Sequence, residues 1–186
     1  MSQLAVEHKA VNLGQGFPDF DTPAALVDAL ARAAREGKNQ YAPMTGLPAL
    51  RQAIAAKTKK VYGRDVDADA EITVTSGGSE AIFDAVLAVV RPGEEVIVLD
   101  PCYDCYEPAI DLASARAVHV PLDAHDFSVD WQKVRDAITP RTRMLMINSP
   151  HNPSGAMLSA ADMATLAGIL RGTKILLLSD EVYEHI

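Results

Sequence analysis

The stretch Glu95-Val96-Ile97-Val98-Leu99-Asp100-Pro101-Cys102-Tyr103 decides the fold. Four consecutive β-favouring apolar residues, closed by an Asp-Pro turn, describe a short strand that is apolar on both faces. Such a strand lies inside a sheet covered by helices on both sides. Working outward, four more short β-rich runs occur: Ile72–Thr75, Ala117–Val120, Arg143–Ile147 and Lys174–Leu178. The last carries Ile175-Leu176-Leu177-Leu178 without interruption. Each run is followed by a turn and a helical pattern, so the fold class is α/β with a mostly parallel sheet. The helix after the first run, Ser79–Val90, is almost wholly apolar and stops at Arg91-Pro92-Gly93, which predicts burial on all sides. Upstream, Thr22 caps a helix beginning at Pro23, and Ala24, Leu26, Val27, Leu30, Ala31 and Ala34 recur at helical spacing as far as Gly37. A second amphipathic helix is predicted from about Leu47 to Val61, with Gly63 beyond its end.

Composition narrows the function. The 186 residues are 48% hydrophobic and carry 17 basic against 25 acidic side chains, a formal charge of −8. This length is one domain, or one and a piece of another. With so few basic residues in one place, a nucleic-acid partner is excluded as an expectation. No stretch reaches the ~18 uninterrupted apolar residues of a membrane span, so no membrane partner and a cytoplasmic location are expected. Cys102 and Cys105 are too few to staple the fold or complete a zinc site, and they read as structural thiols rather than a redox pair.

Ligands of open parallel sheets gather at the carboxyl ends of the strands. Four runs are followed there by unusual polar turns: Ser76-Gly77-Gly78-Ser79-Glu80, Asp100-Pro101-Cys102-Tyr103, Asn148-Ser149-Pro150-His151-Asn152-Pro153-Ser154-Gly155, and Asp180-Glu181-Val182-Tyr183. The first opens a helix, so its free N–H groups and hydroxyls suit a monophosphate, although a plain turn with an N-cap serine has the same pattern. Tyr103 offers an aromatic face for a planar ring, or is an ordinary packed tyrosine. The third turn is stiffened by two X-Pro bonds that fix its asparagines, while His151 reads as a surface loop residue. Asp180 directly follows an apolar run, so its carboxylate implies a cationic partner, either a structural salt bridge or a protonated ring nitrogen. Tyr183 stands close enough in sequence to reach the same ligand.

These turns, with Asn12-Leu13-Gly14-Gln15-Gly16-Phe17-Pro18-Asp19-Phe20, Asn39-Gln40-Tyr41-Ala42-Pro43-Met44-Thr45-Gly46 and Asp104-Cys105-Tyr106-Glu107-Pro108, resemble the class I and II pyridoxal-phosphate-dependent aminotransferases of fold type I. The likeness is greatest to the methionine and kynurenine aminotransferase branch. It implies a three-layer α/β/α large domain, pyridoxal 5'-phosphate as cofactor, and transfer of an amino group between an apolar or aromatic, methionine-like amino acid and a 2-oxo acid. Relatives on this fold also run β-lyase and decarboxylase chemistry, and a non-catalytic cofactor-binding or dimerising remnant is a further alternative. By likeness, Gly78 and Ser79 bind the cofactor phosphate, Tyr103 stacks on the ring, Asp180 pairs with the ring nitrogen, and Asn152 and Tyr183 bond the ring's 3-oxygen. Tyr41 reaches the phosphate across a homodimer interface, and Gly16 and Asn152 contact the substrate carboxylate.

The family's Schiff-base lysine stands in a Ser-x-x-Lys segment after the Asp-x-x-Tyr turn. None of the seven lysines (Lys9, Lys38, Lys57, Lys59, Lys60, Lys133, Lys174) has that setting, so no catalytic residue is assigned. The resemblance therefore implies an N-terminal half. Residues 1–37 would form an arm and first helix, and residues 38–186 an incomplete cofactor-binding domain truncated after its fifth strand, with the C-terminal small domain absent. Residues 72–75 would then lack a sheet neighbour, and Lys174–Leu178 would be an uncovered apolar edge.

Overall fold

In the computed structural model the described residues are 1–186 except Leu13, Gln15, Phe17, Asp19 and Ile186. The segment from Asn12 to Phe20 that carries part of the family resemblance thus lies partly outside the described residues.

The helices are α1 (Ser2–Glu7), α2 (Ala24–Arg35), α3 (Pro48–Tyr62), α4 (Gly78–Val89), α5 (Tyr106–Leu112), α6 (Trp131–Ala137) and α7 (Ala160–Leu170). The strands are β1 (Glu95–Asp100), β2 (Arg116–Pro121), β3 (Thr142–Asn148) and β4 (Leu176–Asp180). They form one sheet in the order β2-β1-β3-β4, with every pairing parallel.

Side chains alternate across a strand, and the central strands build two cores in this way. Val96, Val98, Met144 and Met146 cluster with Ile82 and Val86 of α4 and with Tyr106, Ala109 and Ile110 of α5. Ile97, Leu99, Leu145 and Ile147 cluster with Val120, with Val134 of α6 and with Leu166 of α7. Two helix layers therefore enclose the sheet, the three-layer α/β/α arrangement. Each fully buried Val, Ile or Leu of β1 contributes about 1.5–3 kcal/mol, so this strand is the firmest part of the molecule.

The structure corrects the expectations at three places. Residues 72–75 form no ladder: Val74 N–H donates to the Thr45 carbonyl at 3.1 Å, and the chain there packs against a turn. Gly46 in that turn has φ +94°, and a Cβ on it would lie 2.7 Å from the Val74 side chain, so the close approach requires glycine. Among the described residues no strand lies beside 72–75, and the β propensity of the run has nothing to pair with. Second, α4 is buried only along Ile82 and Val86, with Leu87 38% exposed. One stripe packs on the sheet and α5, and nothing among the described residues covers the other. Third, α2 begins at Ala24 with Pro23 in the N-cap position, so Thr22 stands one residue too early to cap it. β4 is the uncovered apolar edge expected: Leu176 and Leu177 are 38% and 40% exposed, with β3 as its one described neighbour.

α3 keeps its predicted end, with Gly63 at φ +67° donating to the Lys59 carbonyl. α1 has no counterpart in the sequence reading. No helix among the described residues is long and apolar enough to cross a membrane.

Candidate functional site

Parallel register brings the last residues of three strands to one rim: Asn148 of β3 pairs with Asp180 of β4, and β1 ends at Asp100. α4 starts at the same rim. Its N-cap, Gly77, has φ +99°, a conformation that turns the chain sharply into the helix. The first N–H groups of a helix have no intrahelical partner, so Gly78 and Ser79 present donors here together with the positive end of the helix dipole.

Between these elements lies a cleft of about 210 Å³ lined by Gly78, Ser79, Ile82, Tyr103, Asn148, Asn152, Asp180, Val182 and Tyr183. A larger, more polar opening of about 730 Å³ adjoins it through Tyr103, Asn152 and Tyr183, and adds Gly14, Gly16 and Asp104. Six of the expected site residues (Gly78, Ser79, Tyr103, Asn152, Asp180, Tyr183) therefore share one cleft, and Gly16 lines its extension. Tyr41 is fully exposed and lines neither.

A chain of hydrogen bonds holds the rim. The Tyr106 hydroxyl donates to Asp180 Oδ2 at 2.7 Å, and the Val182 N–H donates to Asp180 Oδ1 at 3.2 Å. The Asp180 carbonyl accepts from Asn148 Nδ2 at 2.9 Å and from the Ser149 N–H at 3.2 Å. Asn148 Oδ1 in turn accepts from the Asn152 N–H at 2.6 Å. Asn152 Nδ2 lies 3.4 Å from the Tyr183 hydroxyl, so these two side chains can address one ligand atom. The turn from Asn148 to Gly155 has cis peptide bonds before Pro150 and Pro153, and Asp100-Pro101 is also cis.

Tyr103 is 36% exposed on the cleft wall and meets Tyr106 edge-on, with ring centroids 6.0 Å apart. It is thus neither buried in the core nor wholly in solvent. Burial, with Asp100 beside it, pushes the Cys102 thiol up to about 11, and burial also raises the Cys105 thiol. Both cysteines are free and held protonated. His151 is buried instead of lying on the surface, its Nδ1 2.7 Å from Ser154 Oγ, and burial lowers its pKa. Reading the turn as a loop missed this, because the chain folds back on itself there, the His151 N–H donating to the Ala156 carbonyl at 2.9 Å and the Gly155 N–H to the His151 carbonyl at 2.7 Å.

Two site residues escaped sequence reasoning. Asn148 is buried at the strand end and ties the third turn to β4; its place immediately before the Ser-Pro step was the available signal. Tyr106 supports Asp180 from beneath, and only its position in Asp104–Pro108 marked it. Among the described lining residues there are carboxylates but no lysine or arginine.

Residues 8–186 match the family described as aminotransferase class I and II. The chain belongs to this family. Among similar aminotransferases, the methionine aminotransferase of Escherichia coli (strain K12) is 50% identical over 186 residues, covering 100% of this chain and 48% of that protein. A probable N-succinyldiaminopimelate aminotransferase of Mycobacterium tuberculosis is 48% identical over 188 residues, covering 100% of this chain and 47% of that protein. The crystal structure of a methionine aminotransferase from Escherichia coli superposes with a TM-score of 0.96 at 50% identity, over 100% of this chain and 49% of that one. The chain spans about half the length of the curated relatives it matches. Aminotransferases with different named substrates are thus nearly equally similar to it.

Proposed function

We propose that residues 1–186 cradle pyridoxal 5'-phosphate as part of an aminotransferase, and that the whole enzyme moves an amino group between an apolar or aromatic, methionine-like amino acid and a 2-oxo acid. The observation that carries this reading is the convergence of Gly78, Ser79, Tyr103, Asn152, Asp180 and Tyr183 on one cleft.

The donor set fits a phosphorylated pyridine ring. Gly78 and Ser79 offer a helix N-terminus to the phosphate, where backbone N–H groups and the dipole favour an anion. Tyr103 supplies a wall for the ring. Asn152 and Tyr183, 3.4 Å apart, converge on a ring oxygen and set its orientation. Asp180, half-buried and without an ion pair among the described residues, suits a protonated ring nitrogen and holds that proton in place. When bound, the cofactor supplies a cationic ring that draws electrons away from the substrate α-carbon. Gly16, at the wider opening, is open around its α-carbon and suits main-chain contact with a substrate carboxylate. The exposed Tyr41 and the exposed Leu26, Val27 and Leu30 of α2 support a homodimer in which Tyr41 serves the partner's site.

An amide-resonance titration with pyridoxal phosphate tests the cleft. Shifts centred on Gly78, Ser79, Asp180 and Tyr183 are expected, and shifts centred elsewhere would overturn the assignment. With no lysine along the cleft, this chain mixed with pyridoxal phosphate and methionine is expected to give no transamination. Robust turnover would contradict the reading of these residues as a cradle alone. For the whole enzyme, kcat/KM is expected to favour methionine over aspartate, and the reverse order would remove the apolar-substrate assignment.

A further inference from the structure

The Asp180 carboxylate is held from the protein side by a residue that lines no part of the cleft. We infer that Tyr106 is a positioning residue for the cofactor ring: by donating its hydroxyl hydrogen to Asp180 Oδ2, it fixes the orientation of that carboxylate for pairing with a protonated ring nitrogen. This rests on the reading of Asp180 given above.

Tyr106 opens α5 and is 3% exposed, a member of the first core cluster together with Ile82, Val86, Ala109, Ile110 and Met146. A ring so enclosed cannot swing away, so the 2.7 Å bond is imposed by the fold. The second oxygen, Oδ1, takes the Val182 N–H at 3.2 Å, and Val182 lines the same cleft. One strong and one longer hydrogen bond set the carboxylate plane, while an ionised carboxylate has about four acceptor sites in all. Capacity for a further donor therefore remains.

The direction of donation is fixed as well. Burial raises the Tyr106 phenol first, and the neighbouring Asp180 raises it further, so at neutral pH the O–H is the donor. A neutral donor in a partly desolvated site favours the charged form of its acceptor. Without it, the half-buried carboxylate is free to rotate, and that weakens pairing with a cation. The competing description is a mere strut between α5 and β4, which would support stability and be indifferent to the chemistry of the ring.

Ring chemistry is therefore the readout. The protein and its Tyr106→Phe variant are titrated with pyridoxamine phosphate, which needs no covalent attachment, and with the analogue carrying C–H in place of the ring nitrogen. The unmodified protein is expected to bind the nitrogen compound more tightly. Tyr106→Phe is expected to lose about tenfold of that preference, the worth of one hydrogen bond to a charged group, with binding of the carbon analogue unchanged. Asp180→Asn should abolish the preference, and adding Tyr106→Phe to it should change the preference no further. Retention of the preference in Tyr106→Phe, including equal weakening of both ligands, would overturn the inference while leaving the Asp180 reading intact. Absence of any preference in the unmodified protein would overturn both. Should Tyr106→Phe not fold, the Tyr106 hydroxyl proton resonance carries the test. It is expected to shift with pyridoxamine phosphate and not with the carbon analogue, and a resonance that responds to both alike would overturn the proposal.

Discussion

Two carboxylates mark opposite rims of the same sheet, and the protein treats them differently. Glu95 begins β1 and is fully buried. Its Oε1 accepts from Arg116 at 2.7 Å and from Arg141 at 2.6 and 3.0 Å, and its Oε2 accepts from the Thr139 hydroxyl at 2.5 Å. The bond from Thr139, then that from Arg116, hold its carboxyl down at about 2. Asp180 ends β4, half-buried, with one phenol and one backbone amide as its side-chain partners and no ion pair among the described residues. At the amino rim the protein's own cations close off the charge, and the result is structure. At the carboxyl rim the charge faces a cleft, where parallel sheets place their ligands.

The contrast is broken most directly by removing each carboxylate. Glu95→Ala empties a buried site and removes the acceptor of the Thr139 hydroxyl and of two arginines that themselves reach solvent, and is expected to cost about 2–3 kcal/mol of stability in a denaturant titration. Asp180→Ala leaves the buried Tyr106 hydroxyl without its acceptor and is expected to cost only about 1 kcal/mol, and an equal loss from both variants would erase the distinction. The Glu95 contribution also has a pH signature. Because its folded pKa lies below the ordinary 4.5, its stabilisation is present above pH 4.5 and is lost as pH falls towards 2. Acid titration of the unmodified protein against Glu95→Gln should show the difference in stability closing over that window.

A smaller effect sharpens the account of the second core. Ser159 and Asp162 form a capping box at the start of α7, with bonds of 3.1 Å from the Asp162 N–H and 2.9 Å from the Ser159 N–H. Asp162 also accepts from Trp131 Nε1 at 2.8 Å. Ser159→Ala is expected to lower stability by about 1 kcal/mol without altering ligand binding, since α7 packs on the face away from the cleft. A change in affinity would show that the two faces are coupled.

The smallest effect lies beside the cleft. His119 Nδ1 is 2.8 Å from Asp100 Oδ2 and its Nε2 is 3.5 Å from Glu107, and the hydrogen bond to Asp100 raises its pKa above 6.5. A raised pKa stabilises fully below the ordinary value and is lost as pH rises through the folded one. The three groups are exposed enough that solvent weakens the pairing. The difference in melting temperature between the unmodified protein and His119→Ala should therefore be slight at pH 5.5 and vanish at pH 8.5, and a difference that grows with pH would refute it.

Much of the carboxyl rim could be read from the chain because its signals are local. Val96–Leu99 announce a buried strand, and Gly77-Gly78-Ser79, Asn152 and Asp180-x-x-Tyr183 lie at strand ends where register alone brings them together. The amino rim could not be read so, since Glu95, Arg116, Thr139 and Arg141 meet only through the pairing of three strands. Tyr106 was hidden for a similar reason: its partner lies far along the chain, and an aromatic residue at a helix start has many uses. Residues 72–75 misled in the opposite direction, for a β-rich run becomes a strand only with a neighbour to pair. His151 misled because burial of a turn depends on tertiary contacts that its own sequence does not name. Local chemistry reaches as far as the strand ends; the supports beneath them are tertiary.

The central claim is that the cleft holds a phosphorylated pyridine ring against Asp180. Equilibrium titration with pyridoxamine phosphate, read by ligand fluorescence, tests it most directly when run beside Asp180→Ala. The account predicts saturable binding at one site per chain, weakened at least about tenfold by the substitution, as for loss of a bond to a charged group. Equal binding by both proteins, or none by the unmodified chain under conditions where it is folded, would contradict it.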